Sequence, residues 1–219
     1  MSFWSSESLS EATKFRERIA AEGTGWINAA RGKTPLMRLC KCDTYLDVDA
    51  IEVLVENGAD CVAMDDYGDT PLLTMIQRFD DGRPDLVASN LKVVKCMIEK
   101  GNAPLQRPED NPDTVGPLFV AAEYGRTEIM AYLIQRGANV DAPEFKAECA
   151  EDLEVPPKCT PLHGAVEQEQ LESVKVLIAA GAKLNEKDKE GRTPLAIALS
   201  RRHAAEIAQV LRAAGALEN

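Results

Sequence analysis

The side chains in this chain with a capacity for chemistry are two histidines, six cysteines and a surplus of carboxylates. Making or breaking bonds would need a nucleophile beside a base, a set of metal ligands, or a glycine-rich cradle for phosphate. His163 follows Thr160-Pro161-Leu162, a helix opening in which proline suits the first turn because its missing N–H has no partner to lose. His203 stands beside Arg201 and Arg202, a solvated position rather than a base aimed at a nucleophile. Cys40 and Cys42 are one residue apart, too close for C-x₂-C, and Cys61, Cys96, Cys149 and Cys159 supply no second pair at zinc spacing. No dinucleotide fingerprint, phosphate loop or H-E-x-x-H occurs. The abundant carboxylates include no two whose surroundings would separate their pKa values. These residues predict no catalysis, no cofactor and no metal. The thiols are expected to be reduced, as in a cytoplasmic protein, with the nucleus not excluded.

The elements that hold these residues recur. Thr160 to Gly181 reads as a helix opening, a second helix carrying Val174, Val176, Leu177 and Ile178, and a glycine stop where positive φ ends the helix. Thr193-Pro194-Leu195 leads in the same way to Gly215-Ala216. Upstream, Thr34-Pro35-Leu36 leads to Gly58-Ala59, Thr70-Pro71-Leu72 to Gly101, and Gly116-Pro117-Leu118 to Gly137-Ala138. Five matched openings and stops mean a stack, since one such pair leaves its apolar face uncovered. The chain resembles the ankyrin-repeat family, whose unit is a β-turn and two antiparallel helices opening on TPLHxA. The resemblance implies an all-α solenoid of stacked helix-turn-helix units with short β-turn or hairpin fingers, and a protein-binding module.

Five repeats are expected at about 31–64, 65–105, 113–141, 158–188 and 189–217, behind an N-terminal segment and capping helix over 1–30. Ser10 would cap that helix, which runs from Glu11 to about Glu22 with Phe15 and Ile19 on one face. Asp47 or Asp49 would cap the second helix of repeat one. Insertions fall at 79–90, where Asp81-Gly82 and Pro84 suggest a loop, at 106–113, and at 141–157. The last holds six carboxylates and sits in the limb that projects as a finger in this architecture. Gly164, inside a helix, costs about 1 kcal/mol relative to alanine; close approach of the acidic finger and simple drift are equal explanations. Repeat four alone keeps the histidine of TPLH, so a sparse network between repeats is expected, with cohesion resting on apolar stacking.

A net charge of −11 disfavours nucleic acid and anionic membranes as partners. No stretch approaches the ~20 apolar residues of a membrane span, and the first residues lack the pattern of a secretory signal. The resemblance implies contact positions just before each TPL, at the turn tip, and at the end of each first helix. These are Arg31, Lys33 and Lys41 in repeat one, Asp66, Tyr67, Asp69 and Arg78 in repeat two, and Asp113, Glu123 and Tyr124 in repeat three. Repeat four adds Glu167, and repeat five Arg192 and Arg201; Glu151, Asp152 and Glu154 belong to the finger. The expected groove is acidic with tyrosines at its middle and basic at both ends. That pattern suits an adaptor, monomeric when free, binding a protein with a basic surface or segment. The alternative is a dedicated inhibitor or assembly chaperone that occludes a basic surface of an enzyme or subunit.

Overall fold

The computed structural model describes residues 10–29, 34–42, 46–78, 82–106, 115–144 and 159–218. Helix α1 (Glu11–Glu22) precedes five helix pairs. They are α2 (Pro35–Cys40) with α3 (Val48–Glu56), α4 (Pro71–Gln77) with α5 (Pro84–Glu99), and α6 (Pro117–Glu123) with α7 (Thr127–Gln135). Then come α8 (Pro161–Glu167) with α9 (Leu171–Ala179), and α10 (Pro194–Ser200) with α11 (Ala205–Ala213). Among the described residues there is no strand, and one isolated antiparallel bridge joins Glu144 to Cys159. The fold is the expected all-α repeat architecture.

Each first helix starts where the sequence places it. Proline occupies its first turn, and the side chains of Thr34, Thr70 and Thr193 accept hydrogen bonds from the N–H groups of Met37, Leu73 and Ala196. Gly116, lacking a side chain, makes no such cap. Ser10 and Asp47 cap α1 and α3, accepting from the N–H groups of Thr13 and Ala50. The stops are left-handed glycines: Gly58, Gly137, Gly181 and Gly215 have φ between 85° and 95°. Repeat two departs from this. There Asn102 takes the left-handed conformation, with φ 51°. Gly101 is needed for space, since a Cβ on it would lie 2.5 Å from Cys61 Sγ and 2.7 Å from the Met97 carbonyl.

The chain divides into two compact units, Met1–Ala103 and Pro104–Asn219. In the first, α1 packs on α3, α3 on α5, and α2 on α4. Ala12, Ala50 and Val53 form a buried cluster against Phe15, Ile19 and Leu39, so the apolar face read for α1 is its docking face. Arg18 lies over the Trp26 ring at 4.2 Å, tying the helix to the turn that follows it. Ile51, Leu54, Leu72, Met75 and Met97 are fully buried, each worth roughly 1.5–3 kcal/mol of transfer free energy. In the second unit α6 packs on α8 and α8 on α10, while α7 packs on α9 and α9 on α11.

Three expectations need correction. The 79–90 insertion is not all loop: α5 begins at Pro84 and runs 16 residues, so residues 84–90 lengthen the helix. The hydrogen-bond network between repeats is also not confined to His163. Asn28 accepts the Asp60 N–H at 2.9 Å and donates to the Gly58 carbonyl at 2.8 Å. Asp141 accepts the Lys183 N–H and Asn185 the Leu217 N–H, each at 2.8 Å. In both units, then, an Asn or Asp reaches from one turn to the backbone beyond the next helix pair.

Gly164 supplies the third correction. A Cβ on it would stand 2.9 Å from Glu123 Cγ and 3.1 Å from two ring atoms of Phe119. Helix α6 occupies that space, while most of the acidic finger lies outside the described residues. Phe119 is fully buried and has little room to yield. Gly164→Ala should therefore destabilise the chain by up to about 2 kcal/mol, because overpacking of ~1–3 kcal/mol outweighs the ~1 kcal/mol gained in helix propensity. Urea unfolding checks this, and an unchanged or raised midpoint would mean that the α6–α8 contact is not tight.

Candidate protein-interaction site

The contact positions expected from the sequence lie on the turns that precede the first helices and on the ends of those helices. In repeat two the turn is built on Asp65. Its carboxylate accepts the N–H groups of Tyr67 at 2.8 Å and Asp69 at 3.0 Å, and its own N–H donates to the Asp69 carbonyl at 3.0 Å. Gly68 supplies φ 84°. Lys41, from the end of α2, is ion-paired to Asp65, and its Nζ lies 5.5 Å from the centre of the Tyr67 ring. Burial works to raise the Asp65 carboxyl, but the hydrogen bonds from Lys41 and the turn N–H groups outweigh it and hold it below the usual range.

Two candidates in the same turn separate. Asp69 is half-buried and accepts from Gln77 at 3.3 Å, and burial, then the neighbouring Asp65 charge, raises its carboxyl. Asp66 is exposed, and Tyr67 is 87% exposed at the tip. Arg78 points into its own repeat stack, donating to the carbonyls of Cys40 and Cys42 at the end of α2. It braces two repeats.

Repeat five repeats the design. Asp188 accepts the N–H groups of Glu190 at 3.0 Å and Arg192 at 2.7 Å, and its N–H donates to the Arg192 carbonyl. The Arg192 guanidinium pairs with Asp188, with Glu190 and, across the repeat boundary, with Glu167 at 3.2 Å. Burial again acts to raise Asp188, and the Arg192 hydrogen bonds hold it below the usual range. His163 completes this side. Its Nδ1 accepts the Thr160 N–H at 3.2 Å, so Nε2 carries the proton and donates to the Glu186 carbonyl at 3.1 Å. Burial pushes its pKa down and keeps it neutral, against the Asp188 charge.

The predicted contact residues therefore sort into three groups. Asp66, Tyr67, Tyr124 (46% exposed) and Arg201 face solvent. Lys41, Asp69, Arg78, Glu167 and Arg192 hold neighbouring turns and helices, and half-buried Glu123 packs against Gly164. The basic positions named for either end of the groove are, for Lys41 and Arg192, engaged in ion pairs within the fold. Arg31, Lys33, Asp113, Glu151, Asp152 and Glu154 lie outside the described residues. Of the other finger carboxylates, Asp141 holds the Lys183 N–H and Glu144 is 2% exposed. The sequence signal that would have found the turn anchors is D-x-x-G-x-T-P-L, present at Asp65 and Asp188. For the clamps it is Asn or Asp four residues after the stop glycine, as at Asp141 and Asn185.

The buried thiols are not reactive groups. Burial raises Cys40 and Cys96 and pushes Cys61 up to about 12, which keeps them protonated at neutral pH. Among the described residues no three His, Cys, Asp or Glu side chains gather as a metal set. None of the described helices is long and apolar enough to cross a membrane.

Residues 144–218 match the family described as ankyrin repeats (3 copies), and residues 116–144 match the single ankyrin repeat. Those matches cover the second unit, and the first carries the same threonine caps, helix pairs and glycine stop. This is an ankyrin-repeat protein. It is 26% identical over 158 residues to alpha-latrocrustotoxin-Lt1a of Latrodectus tredecimguttatus, covering 72% of this chain and 10% of that one. It is 31% identical over 91 residues to ankyrin repeat and SOCS box protein 11 of Mus musculus, covering 42% of this chain and 24% of that one. It is 30% identical over 102 residues to a transient receptor potential cation channel subfamily A member 1 homolog of Caenorhabditis elegans, covering 47% and 7%. The chain spans a quarter or less of the length of each of these relatives. Ankyrin repeats generally mediate protein–protein interaction.

Two outcomes follow from the turn chemistry. Asp188→Ala strands two backbone N–H groups and the Arg192 charge, and should cost about 2–3 kcal/mol, whereas Glu190→Ala, on the exposed rim, should stay within about 0.5 kcal/mol; denaturant midpoints compare them. His163 has a folded pKa below its unfolded value of about 6.5, so the unfolded chain binds the extra proton. The stability it contributes is present above pH ~6.5 and is lost as pH falls toward its folded pKa. Melting temperatures from pH 7.5 to 5.5 should fall more steeply in the parent chain than in His163→Gln, and parallel curves would contradict a buried neutral imidazole.

Proposed function

We propose that this ankyrin-repeat protein is a non-enzymatic adaptor that recognises a partner protein through its turn tips and first-helix ends. In this reading the repeat-two turn acts as anchor for a basic segment of the partner. One observation carries the proposal: Tyr67 is 87% exposed on a turn whose backbone is fixed from within by Asp65. An exposed tyrosine on a pre-ordered turn presents a large contact area with little conformational entropy left to lose. Val62 and Met64, 46% and 37% exposed, extend the apolar surface along the limb leading into the turn. Asp66 beside them and the net charge of −11 favour a cationic counterpart. Charge of that kind governs encounter rate and orientation more than affinity.

The experiment uses the tagged full chain as bait at low salt, with Tyr67→Ala, Asp66→Lys and Lys187→Ala compared in parallel. Partner capture should fall at least about tenfold in Tyr67→Ala, the size of an interface anchor. It should fall further when Asp66→Lys is added and be unchanged in Lys187→Ala, with helical circular dichroism equal in all. Capture unaffected by the Tyr67 and Asp66 changes would overturn the proposal.

A further inference from the structure

Repeat five carries a surface of opposite character. The second helix of a pair is reached through a short loop, which in repeats three and four has three residues, Tyr124–Arg126 and Gln168–Gln170. Each of those loops turns on a left-handed residue, Gly125 at φ 70° and Glu169 at φ 56°. In repeat five the loop has four residues, Arg201–Ala204, and none has positive φ. Ala204, fully buried, takes the position before α11. Arg201, Arg202 and His203 are all exposed, and Leu199, on the last turn of α10, is 50% exposed.

The charges around this loop make it distinctive. In residues 159–218 the other cations are largely neutralised by neighbours. Lys175 pairs with Glu172, Lys183 with Glu186, Lys189 with Glu190, Arg192 with three carboxylates and Arg212 with Glu218. Arg201 and Arg202 have no ion pair among the described residues. Two adjacent free guanidiniums next to an exposed leucine, in a chain of net charge −11, are not explained by solubility, which the carboxylates already secure. The loop backbone is held in place, with the Arg201 N–H donating to the Ala198 carbonyl and Ser200 Oγ to the Ile197 carbonyl at 2.7 Å.

We infer that the repeat-five edge formed by Leu199, Arg201, Arg202 and His203 is a docking site for an acidic protein segment carrying an apolar side chain. The guanidiniums offer paired donors matched to carboxylate geometry, and Leu199 selects for an apolar neighbour. The rest of the acidic surface repels acidic segments that cannot reach this edge. The site is independent of the repeat-two turn and calls for the opposite charge.

Fluorescence anisotropy of the full chain tests it with four labelled probes: a short Glu/Leu peptide, a Glu/Ser peptide, a Lys/Leu peptide and a short single-stranded DNA. The Glu/Leu peptide should bind most tightly and weaken with salt. Arg201→Ala with Arg202→Ala should lower its affinity at least about tenfold. Leu199→Ser should erase the preference for Glu/Leu over Glu/Ser, and Tyr67→Ala should change nothing, which separates this site from the repeat-two anchor. No Glu/Leu binding, equal binding of the Lys/Leu peptide or the DNA, or affinity unchanged by the arginine substitutions would overturn the inference. These side chains are exposed, so circular dichroism should stay that of the parent.

Discussion

A short helix followed by a second one presents more apolar surface than the two can cover between them, so within each unit a pair is stabilised by packing on its neighbour. The α6–α8 contact shows how tight that dependence is. Phe119 lies so close to the face of α8 that a Cβ at position 164 would stand 3.1 Å from its ring. A residue that looks like a helix weakness within its own repeat is thus a packing requirement of the repeat before it. Gly101 is the same case in the first unit, where the Cys61 thiol fills the space a side chain would need.

Apolar contact alone would let helix pairs slide or rotate over one another, because burial is non-directional. Direction comes from hydrogen bonds to backbone groups, which exist at one register only. Asn28, Asp141 and Asn185 each hold the N–H of a residue beyond the following helix pair. His163 does the same to the Glu186 carbonyl, and Arg78 to the end of α2. Asp65 and Asp188 then fix the turns from inside, Asp65 collecting Lys41 from the end of α2 and Asp188 holding Arg192 of its own turn. Buried carboxylates of this kind are tolerated because each is paired and accepts several N–H bonds at once.

The openings, caps and stops were legible because they are local. Proline after threonine, and glycine before alanine, declare their backbone conformations without reference to the rest of the fold. The periodic spacing of these marks was enough to identify the helix pairs and the architecture. What stayed hidden was the allocation of polar side chains. Lys41 and Arg192 stand at positions where the resemblance implies partner contact, and nothing in their identity shows that Asp65 and Asp188 already hold them. Asp66 and Asp69 are three residues apart in one turn, yet one is exposed and the other half-buried against Gln77. A linear sequence does not distinguish a carboxylate that closes a turn from one that rides on its outside. The helical extension at Pro84 was masked for a related reason: proline and glycine mark a loop, and proline also begins a helix.

The loops between paired helices bring structure and recognition together. Repeats three and four close the connection in three residues at the cost of left-handed backbone, borne easily by Gly125 and with about 1 kcal/mol of strain by Glu169. At Gly125 the end of the neighbouring Gln170 side chain also sits where a Cβ would be, 2.5 Å away, and would have to turn aside for any larger residue. Repeat five spends an additional residue instead and needs no positive φ. Freed from that constraint, its three exposed positions carry large polar side chains, and two of them are arginine. The repeat-two turn reaches a similar freedom by another route, with Asp65 and Gly68 satisfying the backbone and leaving Asp66 and most of the Tyr67 ring exposed. In both places the residues available to a partner are those the fold has already made unnecessary to itself.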